Sequence, residues 1–129
     1  MILVDTALKT REEQGKPIRV AMIGAGFMGQ GLTNQIVNSM PGMRMVAVQN
    51  RHLEKALHVY RYSGLEEIVE ASSQAQTENA IGAGKPVVTE DAMLLARSKQ
   101  VDVLVETTGS VEFGARVALE AFKHGKEVV

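Results

Sequence analysis

Short apolar runs rich in valine alternate along this chain with longer segments in which apolar residues recur every three or four positions. Runs of the first kind are typical of strands that are buried on both faces of a parallel sheet. They cover residues 18–23, 43–49, 86–89 and 101–106, and a further strand is expected to include Val128 and Val129. The pattern therefore predicts a core built around parallel strands.

The segments between these runs have the spacing of amphipathic helices. They cover residues 29–40, 53–60, 92–98 and 111–124. Residues that start or stop helices stand at their ends, namely Pro41 and Gly42, Gly64, Asp91, Ser110 and Gly125. Leu32 and Phe122 are among the apolar side chains that belong to the helical stripes. Residues 65–85 mix acidic, amide and small side chains and predict one or two short helices.

Strand and helix alternate along the whole chain, which predicts an open α/β fold. We expect a Rossmann-like doubly wound parallel sheet with right-handed crossovers and helices on both faces. A length of 129 residues is close to the commonest size of one domain. The predicted division is an N-terminal extension over residues 1–16 and one α/β domain over residues 17–129. The extension is expected to be a helix packed on the outside of this domain or on a partner domain.

Composition gives no reason to expect a nucleic acid or a membrane as partner. The chain is 45% hydrophobic and 22% charged, with a formal net charge of -1, which is typical of globular proteins. Its N-terminal residues lack the pattern of a signal peptide, and no apolar segment is long enough to span a bilayer. We therefore expect a cytoplasmic protein.

The residue types also limit the chemistry. The chain has no cysteine, which excludes disulfides, thiolate metal sites and a cysteine nucleophile. Its three histidines, His52, His58 and His124, do not have the spacing of zinc ligands. We expect no metal site among these residues and assign no catalytic residue.

A glycine-rich turn follows the first predicted strand. Residues 24–29, with the sequence GAGFMG, match the pattern G-x-G-x-x-G between a buried strand and a helix. In this context Gly24 makes the tight turn, Gly26 lets a diphosphate approach the main chain, and Gly29 lets helix and strand pack closely. Phe27 and Met28 would shape the turn and cover the phosphates. The domain over residues 17–129 is therefore predicted to bind a dinucleotide.

The end of the second predicted strand indicates which dinucleotide is bound. NAD-specific domains usually carry Asp or Glu here, about 20 residues beyond the turn, to bind the adenosine ribose. This chain has the neutral Asn50 followed by Arg51, and a guanidinium binds phosphate with two donors. The alternative is a solvated surface arginine. We predict NADP(H) as the cofactor, with Asn50 and Arg51 in its site.

The fourth apolar run ends in Glu106, Thr107, Thr108 and Gly109. Ligands of open α/β sheets lie outside the carboxyl ends of the strands, so the last three of these residues are predicted to face the nicotinamide half of the cofactor. The threonines can serve as ordinary helix caps at the same time. For Glu106 we favour a carboxylate satisfied by backbone or by a helix N-terminus over a catalytic role.

At these residues the chain resembles the NAD(P)-binding domain of homoserine dehydrogenase-like oxidoreductases. The matching segments are the glycine turn, "VVTEDAMLLARSKQVDVLVETTG" and "ALEAFKHGKEVV". The opening "MILVDTALKTREEQGKPIRVAMIGAGFMGQGL" is more similar to larger bacterial proteins that join such a domain to a C-terminal SAF-type domain. Some of those are reductoisomerase-like enzymes that make 2-C-methyl-D-erythritol 4-phosphate from 1-deoxy-D-xylulose 5-phosphate with NADPH.

This resemblance implies an NADPH-dependent reductase of a small polar carbonyl compound, with a role in isoprenoid precursor synthesis as one implied function. A reductoisomerase would also need a divalent metal, whose ligands would come from outside these residues. The family's catalytic lysine is not Lys126, which precedes the last strand. We therefore expect a fragment whose substrate is bound mainly by a missing domain.

Two alternatives remain open for the function. One is a homoserine dehydrogenase-type oxidoreductase, and the other is a sensing module that binds a dinucleotide without hydride transfer. A sheet edge beside Val129 would favour association into a homo-oligomer.

Overall fold

The computed structural model describes residues 2–129, in which helices and strands alternate. The strands are β1 (Ile18–Ile23), β2 (Met43–Gln49), β3 (Val69–Glu70), β4 (Val87–Thr89), β5 (Val103–Glu106) and β6 (Glu127–Val128). The helices are α1 (Ile2–Glu13), α2 (Phe27–Ser39), α3 (Leu53–Tyr62), α4 (Gln74–Gly82), α5 (Ala92–Ala96) and α6 (Val111–Lys123). The order of elements along the chain is the predicted one, including the helix α1 of the N-terminal extension, with β3 added to it.

The six strands form one parallel sheet in the order β3-β4-β2-β1-β5-β6. From the central β1 the chain moves first toward β2 and β4, and later returns to the other side of β1 as β5. A sheet that reverses direction in this way has a crevice at the carboxyl ends of the strands beside the reversal. The predicted fold class, a Rossmann-like parallel α/β sheet, is confirmed.

Two apolar layers hold the helices against the two faces of the sheet. One layer joins strand residues such as Ile23 and Leu104 to Leu95 of α5 and Val117 of α6. The other joins β1 and β2 to the helices α2 and α3, and it includes the fully buried Tyr60. The helices therefore cover both faces, as the strand pattern predicts for a sheet buried on both sides.

Helix α1 packs on the turn between α2 and β2. Leu8 is a buried apolar residue of this helix, and the Glu12 carboxylate accepts a hydrogen bond of 2.7 Å from the backbone N–H of Gly42. Gly42 has a φ of +80°, and a Cβ there would lie 2.1 Å from the carbonyl oxygen of Leu8. The part of the predicted extension within the described residues thus lies on the outside of the α/β domain. Met1, its first residue, is outside the described chain.

Several boundaries differ from the predicted ones. Helix α2 begins two residues early, because the carbonyl of Gly26 already accepts a helical hydrogen bond from Gln30. Helix α5 ends at Ala96 and β5 begins at Val103, so each is two residues shorter than predicted. Residues 65–85 contain the one helix α4 and the two-residue strand β3. A strand this short has too few residues to show a period of two.

Two side chains of the predicted helical stripes face solvent. Leu32 of α2 is 37% exposed and Phe122 of α6 is 58% exposed. The buried positions of these helices are instead small or branched residues, namely Gly29, Thr33 and Ile36 in α2 and Gly114, Val117 and Ala121 in α6. The buried stripes are narrower than the apolar ones because the helices approach the sheet closely through these small residues.

Candidate cofactor site

The ends of β1, β2 and β5 lie side by side, because Ile23 is in register with both Gln49 and Glu106. The residues that follow these strands surround a cleft of about 420 Å³, which we call the cofactor cleft. It is lined by Gly24, Ala25, Gly26, Gln49, Asn50, Arg51, His52, Lys55, Thr107, Thr108, Ser110 and Phe113. The structure therefore brings together six of the predicted site residues: Gly24, Gly26, Asn50, Arg51, Thr107 and Thr108.

The glycine turn, residues 24–29, has a different geometry at each glycine. Gly24 has a φ of +102°, and a Cβ there would lie 3.0 Å from the Thr107 hydroxyl. Gly26 is exposed, and a Cβ on it would have no heavy atom within 4 Å. A Cβ on Gly29 would lie 2.4 Å from the carbonyl oxygen of Gly24. Gly24 and Gly29 are thus required by packing, whereas the space at Gly26 is open to a ligand.

The start of α2 supplies donors to this open space. Gly26 is its N-cap, and no side chain caps the helix. The first N–H groups of a helix have no partner within it and carry a partial positive charge. An open glycine beside uncapped N–H groups fits a diphosphate, the group that this turn is predicted to hold.

The other four predicted residues do not line the cofactor cleft. Gly29 is buried under the turn, and Gly109 lies at the exposed tip of the loop after β5 with a φ of +72°. Phe27 is 98% exposed and Met28 is 63% exposed. Both line a neighbouring apolar groove on the outside of α2.

Asn50 connects the glycine turn to the loop before α3. Its Oδ1 accepts a hydrogen bond of 3.2 Å from the N–H of Ala25, and its Nδ2 donates one of 3.0 Å to the carbonyl of His52. Its own N–H donates to the carbonyl of Thr89 at 3.1 Å. The side chain therefore has a structural task at the edge of the cleft, which the sequence did not reveal.

A wall of basic side chains forms one side of the cleft. Arg51, His52 and Lys55, which we call the basic wall, all line it and are all exposed. Within the described residues the ion pairs involve other basic groups, namely Arg19, Arg97 and His124. Arg51 and Lys55, the cations of the basic wall, are consequently available to an anionic ligand.

The opposite side of the cleft is the threonine loop, residues 107–109. Thr107 donates from both its N–H and its hydroxyl to the carbonyl of Ile23, at 2.9 and 3.0 Å. Thr108 donates its N–H to Glu106 at 2.7 Å and also its hydroxyl to the same carboxylate oxygen. Ser110 is the N-cap of α6 but makes no side-chain cap. Glu106 thus accepts a hydrogen bond from the backbone, as the structural role favoured for it would require.

The sequence did not single out Gln49, His52, Lys55, Ser110 or Phe113 as parts of the cleft. Lys55 had a detectable signal, because it lies in the first turn of a helix that is predicted to begin shortly after Arg51. Gln49 is buried within the sheet, where its Nε2 donates to the carbonyl of Glu90 at 2.9 Å. Its Oε1 has no hydrogen-bond partner among the described residues.

Residues 2–129 contain no group of three or more His, Cys, Asp or Glu side chains that could hold a metal ion. The pair of His124 and Glu120, with 3.7 Å between His124 Nδ1 and a carboxylate oxygen of Glu120, is a group of only two such side chains. Across the same residues no helix has the length and apolar character that crossing a membrane requires.

Comparison with known proteins places this cleft in a family. The family model described as an oxidoreductase family with an NAD-binding Rossmann fold, GFO/IDH/MocA, matches residues 18–129. The chain belongs to this GFO/IDH/MocA oxidoreductase family. Its sheet and glycine turn thus form a domain that binds a pyridine nucleotide.

Relatives of this GFO/IDH/MocA domain include a homoserine dehydrogenase from Corynebacterium glutamicum, 27% identical over 115 residues. That match covers 89% of this chain and 22% of the relative. A myo-inositol dehydrogenase from Lactobacillus casei, solved with NAD(H) and myo-inositol, has a TM-score of 0.64 at 21% identity, over 87% of this chain and 27% of its own. A 3-ketoreductase from Actinomadura kijaniata, solved with NADP, has a TM-score of 0.60 at 21% identity, over 87% and 29%.

The chain spans about a quarter of the length of these relatives. They support the predicted likeness to homoserine dehydrogenase in its broad form, that of an NAD(P)-binding oxidoreductase domain. The structures just named are of an inositol dehydrogenase and a 3-ketoreductase, and neither is a reductoisomerase with a SAF-type domain. The narrower likeness therefore stays a prediction.

Proposed function

We propose that this chain is the cofactor-binding domain of an NADPH-dependent oxidoreductase that acts on a small polar carbonyl compound. The observation that carries the choice of NADPH is the basic wall, where Arg51 and Lys55 line the cleft without a carboxylate partner among the described residues. A neutral amide, Asn50, stands where a carboxylate would repel a 2'-phosphate. The charge of this side of the cleft suits a phosphorylated ribose.

The two halves of the cofactor would lie on the two sides of the cleft. The diphosphate would lie over Gly26 and the first N–H groups of α2, with the 2'-phosphate toward Arg51. The nicotinamide would then extend toward Thr107 and Thr108. This placement uses the six predicted site residues that line the cleft.

The chemistry that NADPH supplies when bound is transfer of a hydride from its nicotinamide to the carbonyl carbon of a substrate. The residues of this chain would bind the phosphates, orient the nicotinamide and shield one side of it. Groups that bind the substrate or donate the proton to its oxygen are assigned to other parts of the protein. The domain alone is therefore expected to bind cofactor without turnover.

Titration of the chain with NADPH and with NADH tests this proposal. Wild-type protein should bind NADPH more tightly, and Arg51→Ala should weaken NADPH roughly tenfold or more while changing NADH little. Arg61→Ala is the control, because Arg61 is an exposed arginine of the following helix α3 and lies outside the cleft. Tighter binding of NADH by wild type, or an equal loss for both cofactors in Arg51→Ala, would contradict the assignment.

For the substrate we retain two candidates. The homoserine dehydrogenase from Corynebacterium glutamicum favours a homoserine dehydrogenase-type reaction. The resemblance of residues 1–32 to proteins with a SAF-type domain favours a reductoisomerase-like enzyme of isoprenoid precursor synthesis. Such an enzyme would take a divalent metal bound by residues outside this chain. Oxidation of NADPH by the protein together with its substrate domain, measured with aspartate semialdehyde and with 1-deoxy-D-xylulose 5-phosphate, separates them. Tight binding of NADPH without oxidation by either compound would favour the sensing module.

A further inference from the structure

Glu106 lies just outside the cofactor cleft, at the end of β5. It is partly buried, and it is absent from the residues that line the cleft. Its Oε1 accepts two hydrogen bonds from Thr108, one from the N–H at 2.7 Å and one from the hydroxyl. Hydrogen bonds to an ionised acceptor are stronger than those between neutral groups. The carboxylate therefore holds both the backbone and the side chain of a cleft residue.

The orientation of Thr108 is passed on to the start of α6. The N–H of Ser110, the N-cap of this helix, donates to the Thr108 hydroxyl at 3.2 Å. On the other side, Thr107 is attached to β1 through the carbonyl of Ile23. The threonine loop is thus anchored at two points, and Glu106 is the anchor for its exposed half.

Helix α6 is shaped to accept this carboxylate. A Cβ on Gly114 would lie 2.8 Å from Glu106 Oε2, so any larger residue would displace that oxygen. Glu106 also forms none of the ion pairs found among the described residues. Its contacts are instead the two Thr108 donors at Oε1 and the close approach of Gly114 at Oε2.

We propose that Glu106 is a positioning residue for the nicotinamide half of the cofactor. By fixing Thr108, it sets how the threonine loop meets the nicotinamide and its ribose, and it leaves the adenosine half untouched. This inference rests on the proposed function, since it needs a dinucleotide in the cofactor cleft. It adds a residue that does not itself contact the ligand and that acts only through the loop.

The test compares two ligands that differ in one half. NADPH and 2'-phospho-ADP-ribose, which lacks the nicotinamide, are titrated into wild type, Glu106→Ala and Glu106→Gln. Wild type should bind NADPH more tightly than 2'-phospho-ADP-ribose. Glu106→Ala should weaken NADPH roughly fivefold or more and leave 2'-phospho-ADP-ribose unchanged. Glu106→Gln should recover most of the loss, because its amide oxygen still accepts from Thr108.

The outcomes separate this inference from the proposed function. A wild-type chain that binds neither ligand contradicts the proposed function itself. Equal wild-type affinity for the two ligands, an unchanged NADPH affinity in Glu106→Ala, or an equal loss for both ligands overturns the positioning role. So does a Glu106→Gln variant that binds NADPH as weakly as Glu106→Ala.

A second variant tests the same role without altering the carboxylate. Gly114→Ala should displace Glu106 and weaken NADPH but not 2'-phospho-ADP-ribose, while the higher helix propensity of alanine keeps the melting temperature at or above that of wild type. Gly31→Ala is the control, because Gly31 is a helical glycine with no heavy atom near the position of a Cβ. Unchanged NADPH affinity in Gly114→Ala would count against the role assigned to Glu106.

Discussion

Gly26 and Gly29 stand three residues apart in one turn and meet opposite surroundings. Gly26 has a φ of -79°, which other residues adopt easily, and its missing side chain faces open space. Gly29 is buried against the backbone of Gly24, which cannot move aside as a flexible side chain could. Gly26 therefore leaves room for a ligand and Gly29 serves the packing of the fold, the two different roles that the motif predicts for them.

This contrast gives a prediction for each glycine. Gly26→Val should melt close to the wild-type temperature and lose most of its NADPH affinity, because the branched side chain fills the space expected for the diphosphate. Gly29→Ala should lower the free energy of unfolding by about 1–3 kcal/mol, the usual range for overpacking. Thermal unfolding and NADPH titration of both variants provide the measurements. Wild-type NADPH affinity in Gly26→Val would contradict the placement of the diphosphate.

At the scale of elements, Tyr60 attaches α3 to the sheet beneath it. Its side chain is fully buried, and its hydroxyl donates to the carbonyl of Met45 in β2 at 3.0 Å. Burial raises the pKa of this phenol well above its ordinary value, because the ionised form would be desolvated. The folded protein therefore keeps Tyr60 protonated at a pH where the unfolded chain would lose the proton.

The consequence is a loss of stability in alkali. A group whose pKa is raised by folding contributes fully below its unfolded pKa, so stability should be constant up to about pH 10. Above that it should fall with a slope of at most about 1.4 kcal/mol per pH unit for this one group. Denaturant unfolding between pH 8 and pH 11 should show a steeper decline for wild type than for Tyr60→Phe. Tyr62→Phe, at an exposed tyrosine of the same helix, should decline as wild type does.

The same scale shows which elements a sequence reveals. The strands β1, β2 and β5 were predictable because buried strands of a parallel sheet read as continuous apolar runs. The cap at Asp91 was predictable as well, and its side chain accepts from the N–H of Met93 at 2.9 Å. Strand β3 was not predictable, because it has only two residues and exists only through its pairing with β4. The predicted buried stripes of α2 and α6 included residues that face solvent, because an apolar side chain can also be exposed.

The parts of the cofactor cleft also differ in how far they could be predicted from the sequence. The glycine turn and Arg51 could be located because each is defined by its distance along the chain from one strand. The basic wall as a group, and Glu106 as the anchor of Thr108, depend on how the ends of separate strands meet across the sheet. The start of α3 at Leu53 was predictable, but the place of Lys55 in the cleft also depends on how this helix lies beside the ends of the strands.

At the scale of the whole molecule, helix α1 is an addition to a sheet that is complete without it. It contacts the domain through Leu8 and Glu12, which lie on the turn at Gly42. This turn is at the amino ends of the strands, whereas the cofactor cleft is at their carboxyl ends. A change in α1 is therefore separated from the cleft by the full length of β2.

Deletion of residues 1–14 should accordingly separate stability from binding. The loss of one buried leucine and one hydrogen bond should lower the free energy of unfolding by roughly 2–4 kcal/mol. The affinity for NADPH, measured well below the melting temperature, should stay as in the intact chain. Glu12→Ala provides a milder variant that should lose about 1–2 kcal/mol. A deletion that weakens NADPH would show that the extension belongs to the binding unit.

Asn50 and the basic residues beside it have separate roles, and this matters for changing the cofactor preference by mutation. The amide of Asn50 ties the glycine turn to the next loop, while the side chains proposed to bind the 2'-phosphate are those of the exposed residues Arg51 and Lys55. Those two residues form none of the side-chain bonds found in the part of the chain described by the structure. Substitutions at Arg51 and Lys55 that aim to change the cofactor preference should therefore leave the fold intact, provided that Asn50 is kept.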